Sequence, residues 1–454
     1  MIRGVVVTGF TLIVSLVGCG QWQRVGSTDR PQPGFEVAKL FDAAAIYDHM
    51  GLFVTPAPLP AVADAHFLAG PSIDSTLAVF TLSLANHSLS FHRDANEFVA
   101  EYHVEVAFRS DSGGTARLAS DQTVRVRTFQ ETLRADESVL FQGFLLVHPG
   151  VYTAEVLIRD RNSPASSRRE RADTVPRFGG PALSSPIPIY QGVGRAVRGE
   201  RPQLLANPRA TLPYGVDTLR FYLEGYELAP GTRVAAEAID QAGTVQWQDT
   251  VMLRDTTGLA RAVLPIAGSR LPVGQEELRV SAVGGAAKAA STFLVSFSTQ
   301  WVVTNYGEML NLLRYFERQD LVNKLKNAPL AERAEAWRSF WTATDPVPLT
   351  PENEALDDYL HRIQIANVRF QEEGRPGWLT DRGEVFITLG EPDEVTDFSG
   401  NNVSRSTPQT IRWSYTTLRL GLLFQDLTGF GRFELTPGSR ADYQQVLGRI
   451  RRSQ

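Results

Sequence analysis

From Phe98 to Phe108 every second residue is apolar: Phe98, Ala100, Tyr102, Val104, Val106 and Phe108, with Glu101, His103 and Glu105 between them. A period of two puts successive side chains on opposite faces, so such a run buries one face and wets the other. It reads as an antiparallel strand and not as a helix, whose apolar face recurs every 3.6 residues. Tyr152, Ala154, Val156 and Ile158 repeat the pattern. So do Leu219, Phe221 and Leu223, then Val234, Ala236 and Ala238, then Leu278, Val280 and Ala282. Turn residues punctuate the runs at Asp111-Ser112-Gly113-Gly114 and Pro149-Gly150. Pro272-Val273-Gly274 echoes Pro149-Gly150-Val151 ahead of a strand, which suggests two sandwiches of related design. Residues 160–181, with several Arg, Ser, Pro and Gly, read as an exposed, solvated loop.

After Phe297 the period becomes helical. Tyr306, Leu310, Leu313 and Phe316 share one face, and Ala334, Trp337, Phe340 and Trp341 follow at similar spacing. A third helix is expected to start with Thr350 as N-cap and Pro351 at its first position, to bury Leu356, Tyr359, Leu360, Ile363 and Phe370, and to stop at Gly374. Strands are expected again at 384–389, 411–415, 418–425 and 430–435. A basic amphipathic tail follows, with Tyr443, Leu447 and Ile450 beside Arg449, Arg451 and Arg452. A short helix is read between Phe35 and Met50.

Composition narrows the function classes. With 43% hydrophobic residues over 454 positions the chain can bury several cores, so disorder throughout is excluded. A net charge of -5 without a basic run argues against nucleic acid as a partner. A single cysteine excludes an internal disulfide and a Cys-rich zinc site. That cysteine is Cys19, directly after Leu16-Val17-Gly18, at the end of a charge-free stretch from Gly4 that follows Arg3. The stretch is too short to span a bilayer and suits a signal-peptide core. The arrangement resembles the lipobox of bacterial lipoproteins. The resemblance implies cleavage after Gly18, acylation of Cys19 as the new N-terminus, and residence in the cell envelope. Gly20 in place of Asp favours the outer membrane. Residues 1–18 are then a signal peptide and 19–34 a tether rich in Gly, Pro and polar residues.

Gly377-Trp378-Leu379-Thr380-Asp381 is followed by Arg382-Gly383 and by Gly390-Glu391-Pro392-Asp393. Around it stand Trp337, Phe340 and Trp341 before Asp345-Pro346, Asn353-Glu354, Tyr359, Arg362-Ile363, Ala366-Asn367, Trp413-Ser414-Tyr415, and Phe424 through Gly431. This ordered set resembles the GWxTD domain, a bacterial C-terminal domain whose members tend to carry β-rich regions and an export signal ahead of it. The resemblance implies no established reaction, substrate or catalytic residue. The expected architecture is multidomain, mainly β plus α+β. Two antiparallel β-sandwich (Ig-like) domains at 35–190 and 191–298 precede a GWxTD domain of helices and strands at 299–437, with a tail at 438–454.

Within the motif, Gly377, Trp378, Thr380, Asp381, Arg382, Pro392 and Asp393 are the candidate site residues, either as a structural staple or as a ligand-binding set. Between Glu372 and Gly400 eight acids (Glu372, Glu373, Asp381, Glu384, Glu391, Asp393, Glu394, Asp397) face two bases, Arg375 and Arg382. Paired carboxylates could hydrolyse glycosides, and oxygen clusters could hold calcium, yet Asp393-Glu394-Asp397 matches no calcium loop. His87 and His92 lack zinc-hydrolase spacing, and no nucleophile elbow, Walker loop or dinucleotide fingerprint occurs, so neither metal nor nucleotide cofactor is expected. The expected role is a membrane-anchored, non-catalytic interaction or scaffolding module for an envelope protein or glycan. The alternative is an envelope hydrolase of polysaccharide or peptide using acids near the GWxTD turn.

Overall fold

The computed structural model describes residues 43–452, apart from 112, 135–138, 216–217, 257–258, 299–300, 304, 349–352, 373 and 399–408. Gly18, Cys19 and the tether lie outside the described residues, as do Thr350 and Pro351. Of the helix read between Phe35 and Met50, the described part is α1 (Ala43–His49).

The protein is multidomain and mainly β. Its first unit holds a sheet of order β1 (Phe53–Thr55), β2 (Ala61–Ala69), β3 (Thr76–Leu84) and β7 (Val139–Val147). A second sheet faces it, in the order β4 (His92–Asp94), β5 (Glu97–Arg109), β8 (Gly150–Asp160) and β9 (Ser166–Val175), with β6 (Thr115–Val126) also on β5. The alternating residues of β5 and β8 meet Ala78, Phe80 and Leu82 of β3 in a common core. β9 corrects the expectation of a loop over 160–181. It is an edge strand paired with β8 from Gly150↔Val175 to Arg159↔Ser166. Only Ser167 and Val175 of this strand are buried, so it carries almost no apolar signal to read.

The second unit pairs a sheet of order β12 (Gln203–Ala206), β11 (Ile187–Gly194), β14 (Leu219–Tyr226), β18 (Leu259–Ile266) and β17 (Arg254–Thr256), with β10 (Ala182–Leu183) on β14, against another. That partner runs β13 (Thr211–Pro213), β20 (Lys288–Ser296), β19 (Gly274–Ala282), β15 (Arg233–Asp240) and β16 (Val245–Met252). The described pairings are antiparallel except β13 with β20. β11 runs through positions 190 and 191, where the sequence reading drew its boundary, and pairs with β12 and β14 of the second unit.

The two sandwiches share a third apolar layer. Leu68, Leu77 and Val79, on the back of the first core, pack against Ile187, Ile189, Leu204 and Tyr222. All nine residues of β3 are therefore buried, which explains its unalternating sequence Thr-Leu-Ala-Val-Phe-Thr-Leu-Ser-Leu. Val62 of β2 shares a further apolar cluster with Leu294 of β20, so the first unit packs against both sheets of the second.

The core of the second sandwich continues into the helices α2 (Tyr306–Leu312), α3 (Gln319–Asn327), α4 (Arg333–Thr344) and α5 (Glu354–Arg369). Phe297 at the end of β20 meets Trp337 of α4 edge to face, with centroids 4.6 Å apart. α5 begins one turn later than expected. Its N-cap is buried Asn353, whose Oδ1 accepts from the Leu356 amide at 3.0 Å, while Nδ2 donates to Trp341 O and Thr344 Oγ1. The strand expected at 384–389 is a helix, α6 (Asp381–Leu389). Strands β21 (Glu394–Asp397), β22 (Gln409–Tyr415), β23 (Leu420–Asp426) and β24 (Glu434–Leu435) form the last sheet in sequence order. β24 holds two residues where 430–435 was expected, because Leu427 to Gly431 close a loop onto Asp426. The basic tail is helix α7 (Pro437–Arg452), with Tyr443, Val446 and Leu447 buried in the same core.

Candidate functional site

The GWxTD segment is a knot between two helices and the last sheet. Gly377-Trp378-Leu379 makes a single 3-10 turn and Thr380 ends it. The turn lies against the end of α5 so closely that a Cβ on Gly377 would sit 2.1 Å from Ala366 O and 2.7 Å from Asn367 O. Gly383 is under the same constraint, its Cβ falling 1.9 Å from Gly377 O. These two glycines are needed for backbone approach, not for turn geometry. Buried Thr380 is the N-cap of α6: its Oγ1 accepts from the Gly383 amide at 3.0 Å and donates to Gly377 O at 2.8 Å. Trp378 is buried, with Tyr315 edge-on and the Arg314 guanidinium 5.1 Å from its ring centroid.

Asp381, the last motif residue, starts α6, where its charge is favoured by the helix dipole. Its Oδ2 accepts from the Leu435 amide at 2.8 Å and lies 2.6 Å from Arg440 Nη2. Arg440 also donates to Glu384 Oε2 at 3.0 Å, so one guanidinium of α7 bridges both carboxylates. Arg382 points the other way, 4.4 Å above the Phe433 ring and 3.3 Å from Glu372 Oε1. Glu372 Oε1 also accepts from the Phe433 amide at 3.1 Å. Burial pushes the Glu372 carboxyl up and the Arg382 guanidinium down, each against the pull of the other. Glu372 Oε2, Arg382 Nε and the Trp378 indole N–H are buried without a hydrogen-bond partner. Pro392 is buried in the turn after Gly390, whose φ of 81° ends α6 in the left-handed region. Exposed Asp393 accepts from the Thr416 amide at 2.5 Å.

Gly377, Trp378, Thr380, Asp381 and Arg382 share this knot, Asp393 lies apart against Thr416, and the acids go to separate partners except Asp381 and Glu384, which share Arg440. Asp381 and Glu384 go to Arg440, Glu391 to Arg369 at 2.6 Å, Glu372 to Arg382, and Asp393 to a backbone amide. Among the described residues no three His, Cys, Asp or Glu side chains are grouped to hold a metal ion. Sequence reasoning missed Arg440 and Phe433, whose contacts with the motif span more than fifty positions and leave no local signal.

A family model of the GWxTD domain matches residues 283–418. The chain carries a GWxTD domain. The match starts in the turn before β20 and ends before β23, although β24 and α7 supply the partners of Asp381. No curated protein matches the chain. Among solved structures it is similar to red sea bream transglutaminase, with 9% identity over 51% of this chain and 31% of that one, and a TM-score of 0.16. The BSP domain of a biofilm-associated protein has 8% identity over 57% and 54%, with a TM-score of 0.17. Trypsin-activated alpha-2-macroglobulin from Escherichia coli has 9% identity over 54% and 17%, with a TM-score of 0.19. The chain thus spans from about a sixth to about half of these structures' lengths.

Proposed function

We propose that this protein is an envelope lipoprotein, held at the outer membrane through acylated Cys19, whose stacked sandwiches and GWxTD domain serve as a non-catalytic interaction or scaffolding module. The observation that carries the non-catalytic part is the internal use of the polar atoms of Thr380 and Asp381. Thr380 caps a helix, and Asp381 binds both a backbone amide and Arg440. A general base needs a lone pair within reach of substrate, and a catalytic carboxylate pair needs two environments that drive its pKa values apart. Asp381 and Glu384 share one guanidinium instead. The anchor rests on Leu16-Val17-Gly18-Cys19 and the apolar stretch ahead of it. The partner is an envelope protein or glycan.

Two measurements test this. Fatty-acid labelling in a bacterial host should be lost in Cys19→Ala, and unchanged labelling would remove the anchor. Crosslinked capture from solubilised envelope should return a reproducible protein or glycan partner. A hydrolytic activity of the purified protein that disappeared in a folded Asp381→Ala variant would overturn the scaffolding role.

A further inference from the structure

One end of the first sandwich opens into a cavity of about 220 Å³, between the 3-10 turn Asn86–Ser88, the β4–β5 hairpin and the one-turn helix Phe129–Thr132. Its apolar walls are Leu89, Phe91, Phe98, Phe129 and Leu133. Phe129 stands 62% exposed and Leu133 59%, yet both rise from a fixed frame. Thr128 Oγ1 caps the helix by accepting from the Glu131 amide at 3.3 Å, and Glu131 Oε2 accepts from the Arg127 amide at 2.8 Å. Asn86 Nδ2 donates to Glu131 O at 2.8 Å and the His87 amide to Arg134 O at 3.0 Å, which ties the turn to the helix. The Phe98 and Phe129 rings lie tilted, with centroids 6.0 Å apart.

Two polar side chains complete the lining. Arg93 is paired with Phe98 across the hairpin, so both belong to the cavity face, while Asp94 and Glu97 pair on the other face, each 3.6 Å from Arg125 Nη1. Among the described residues Arg93 forms no ion pair, and its guanidinium donates only through Nε, to Ala95 O at 3.4 Å. His87 Nδ1 lies 3.1 Å from Arg134 O. A carbonyl only accepts, so in the neutral ring Nδ1 holds the proton and Nε2 is the acceptor. An apolar cavity of about 150 Å³ takes up benzene, so this one has room for a single aromatic or branched aliphatic side chain. It is smaller than the roughly 300–1,000 Å³ of pockets for drug-sized molecules. A sugar would call for several directed donors and acceptors, and the described lining contains no Asp, Glu, Asn or Gln. What matches is one apolar group joined to one anion and one N–H donor.

We infer that this cavity binds the C-terminal residue of a partner polypeptide when that residue is apolar. Its side chain enters between Phe98, Phe129 and Leu133, its carboxylate meets the Arg93 guanidinium, and its amide N–H is received by His87 Nε2. The inference rests on the interaction-module reading above, whose partner it narrows to a protein end of stated chemistry. It does not depend on the anchor at Cys19.

The test is a ligand-observed NMR titration of the mature chain carrying Cys19→Ala, which needs no detergent. N-acetyl-phenylalanine is the probe, compared with its C-terminal amide, with 3-phenylpropionate and with chitobiose. The probe should bind about tenfold or more tightly than the amide, which lacks the anion, and about threefold or more tightly than 3-phenylpropionate, which lacks the N–H. Arg93→Gln should abolish the preference for acid over amide, and Phe129→Ser should weaken both. No binding of the probe, or equal binding of acid and amide, overturns the site. Binding of 3-phenylpropionate as tight as that of the probe assigns the cavity to a free acid, and chitobiose binding that Phe129→Ser removes assigns it to a glycan; either overturns the polypeptide end. Undiminished crosslinked capture of an envelope partner by the chain carrying both Arg93→Gln and Phe129→Ser overturns the pocket and leaves the interaction module standing.

Discussion

Gly377 shows how little freedom the motif leaves at a single atom. An added methyl would meet two carbonyls and the Gln371 amide of the α5 end within 2.8 Å, all of them backbone. Gly377→Ala should therefore destabilise the protein by roughly 2–4 kcal/mol, read as a lower urea midpoint, because rigid backbone cannot rearrange as a side chain can. A shift below about 0.5 kcal/mol would mean the turn can move off α5. The motif itself was plain in the sequence, but the reason for its glycines was not. Proximity to Ala366 depends on how α5 and α6 cross, and nothing local encodes that. Position 384–389 misled for a related reason. Val385-Phe386-Ile387 reads as strand, and a nine-residue helix shows too few turns to display its period. The informative residues were Thr380 and Gly383, the cap and the amide it receives.

At the level of elements, the period-two runs of β5, β8, β15 and β19 were legible because each strand has one face buried more deeply than the other, and β14 was legible because its second face buries the polar Glu224 and Tyr222 hydroxyl among its apolar residues. β3 and β9 were not, one being buried on both faces and the other on hardly any. β19 holds a further consequence. Glu276 is its inward-facing, buried carboxyl, and burial together with the repulsion of Asp240 across the β15 pairing pushes it up to about 7. A carboxyl raised in the folded state favours folding fully below its unfolded value near 4.5, and that contribution is lost as pH rises toward 7. Unfolding free energy should therefore fall between about pH 4.5 and 7 by up to about 3 kcal/mol from this group. Glu276→Gln should remove that slope and be more stable than the parent at pH 8. Parallel pH–stability curves for the two proteins would show the carboxyl is solvated after all.

Across the whole molecule, the two sandwiches are fastened by a charge pair that no sequence pattern announced. Arg195 and Glu224 bury both side chains completely, with Nη2 to Oε2 at 2.8 Å and Nε to Oε1 at 2.9 Å. Tyr222 and Tyr226 donate to the same carboxylate at 2.6 Å, and Arg195 Nη2 and Tyr226 Oη clamp the carbonyl and amide of Ala69 in the first sandwich. Glu224→Ala would strand a buried guanidinium and should cost about 3–5 kcal/mol, while Arg195→Met with Glu224→Leu should recover most of it. Thermal or chemical unfolding of the three proteins checks the order, and equal losses in the single and double variants would show that packing, not charge, holds the joint.

Asp381 takes its partners from Leu435 and Arg440, whereas both sandwiches are complete once Ser296 is in place. During synthesis the sheets emerge first and are free to assemble, while the GWxTD knot stays open until β24 and α7 arrive. The part of the chain that bears the family motif is thus the last to acquire its shape, and the finished second sandwich provides the surface, at Phe297, against which Trp337 of α4 closes.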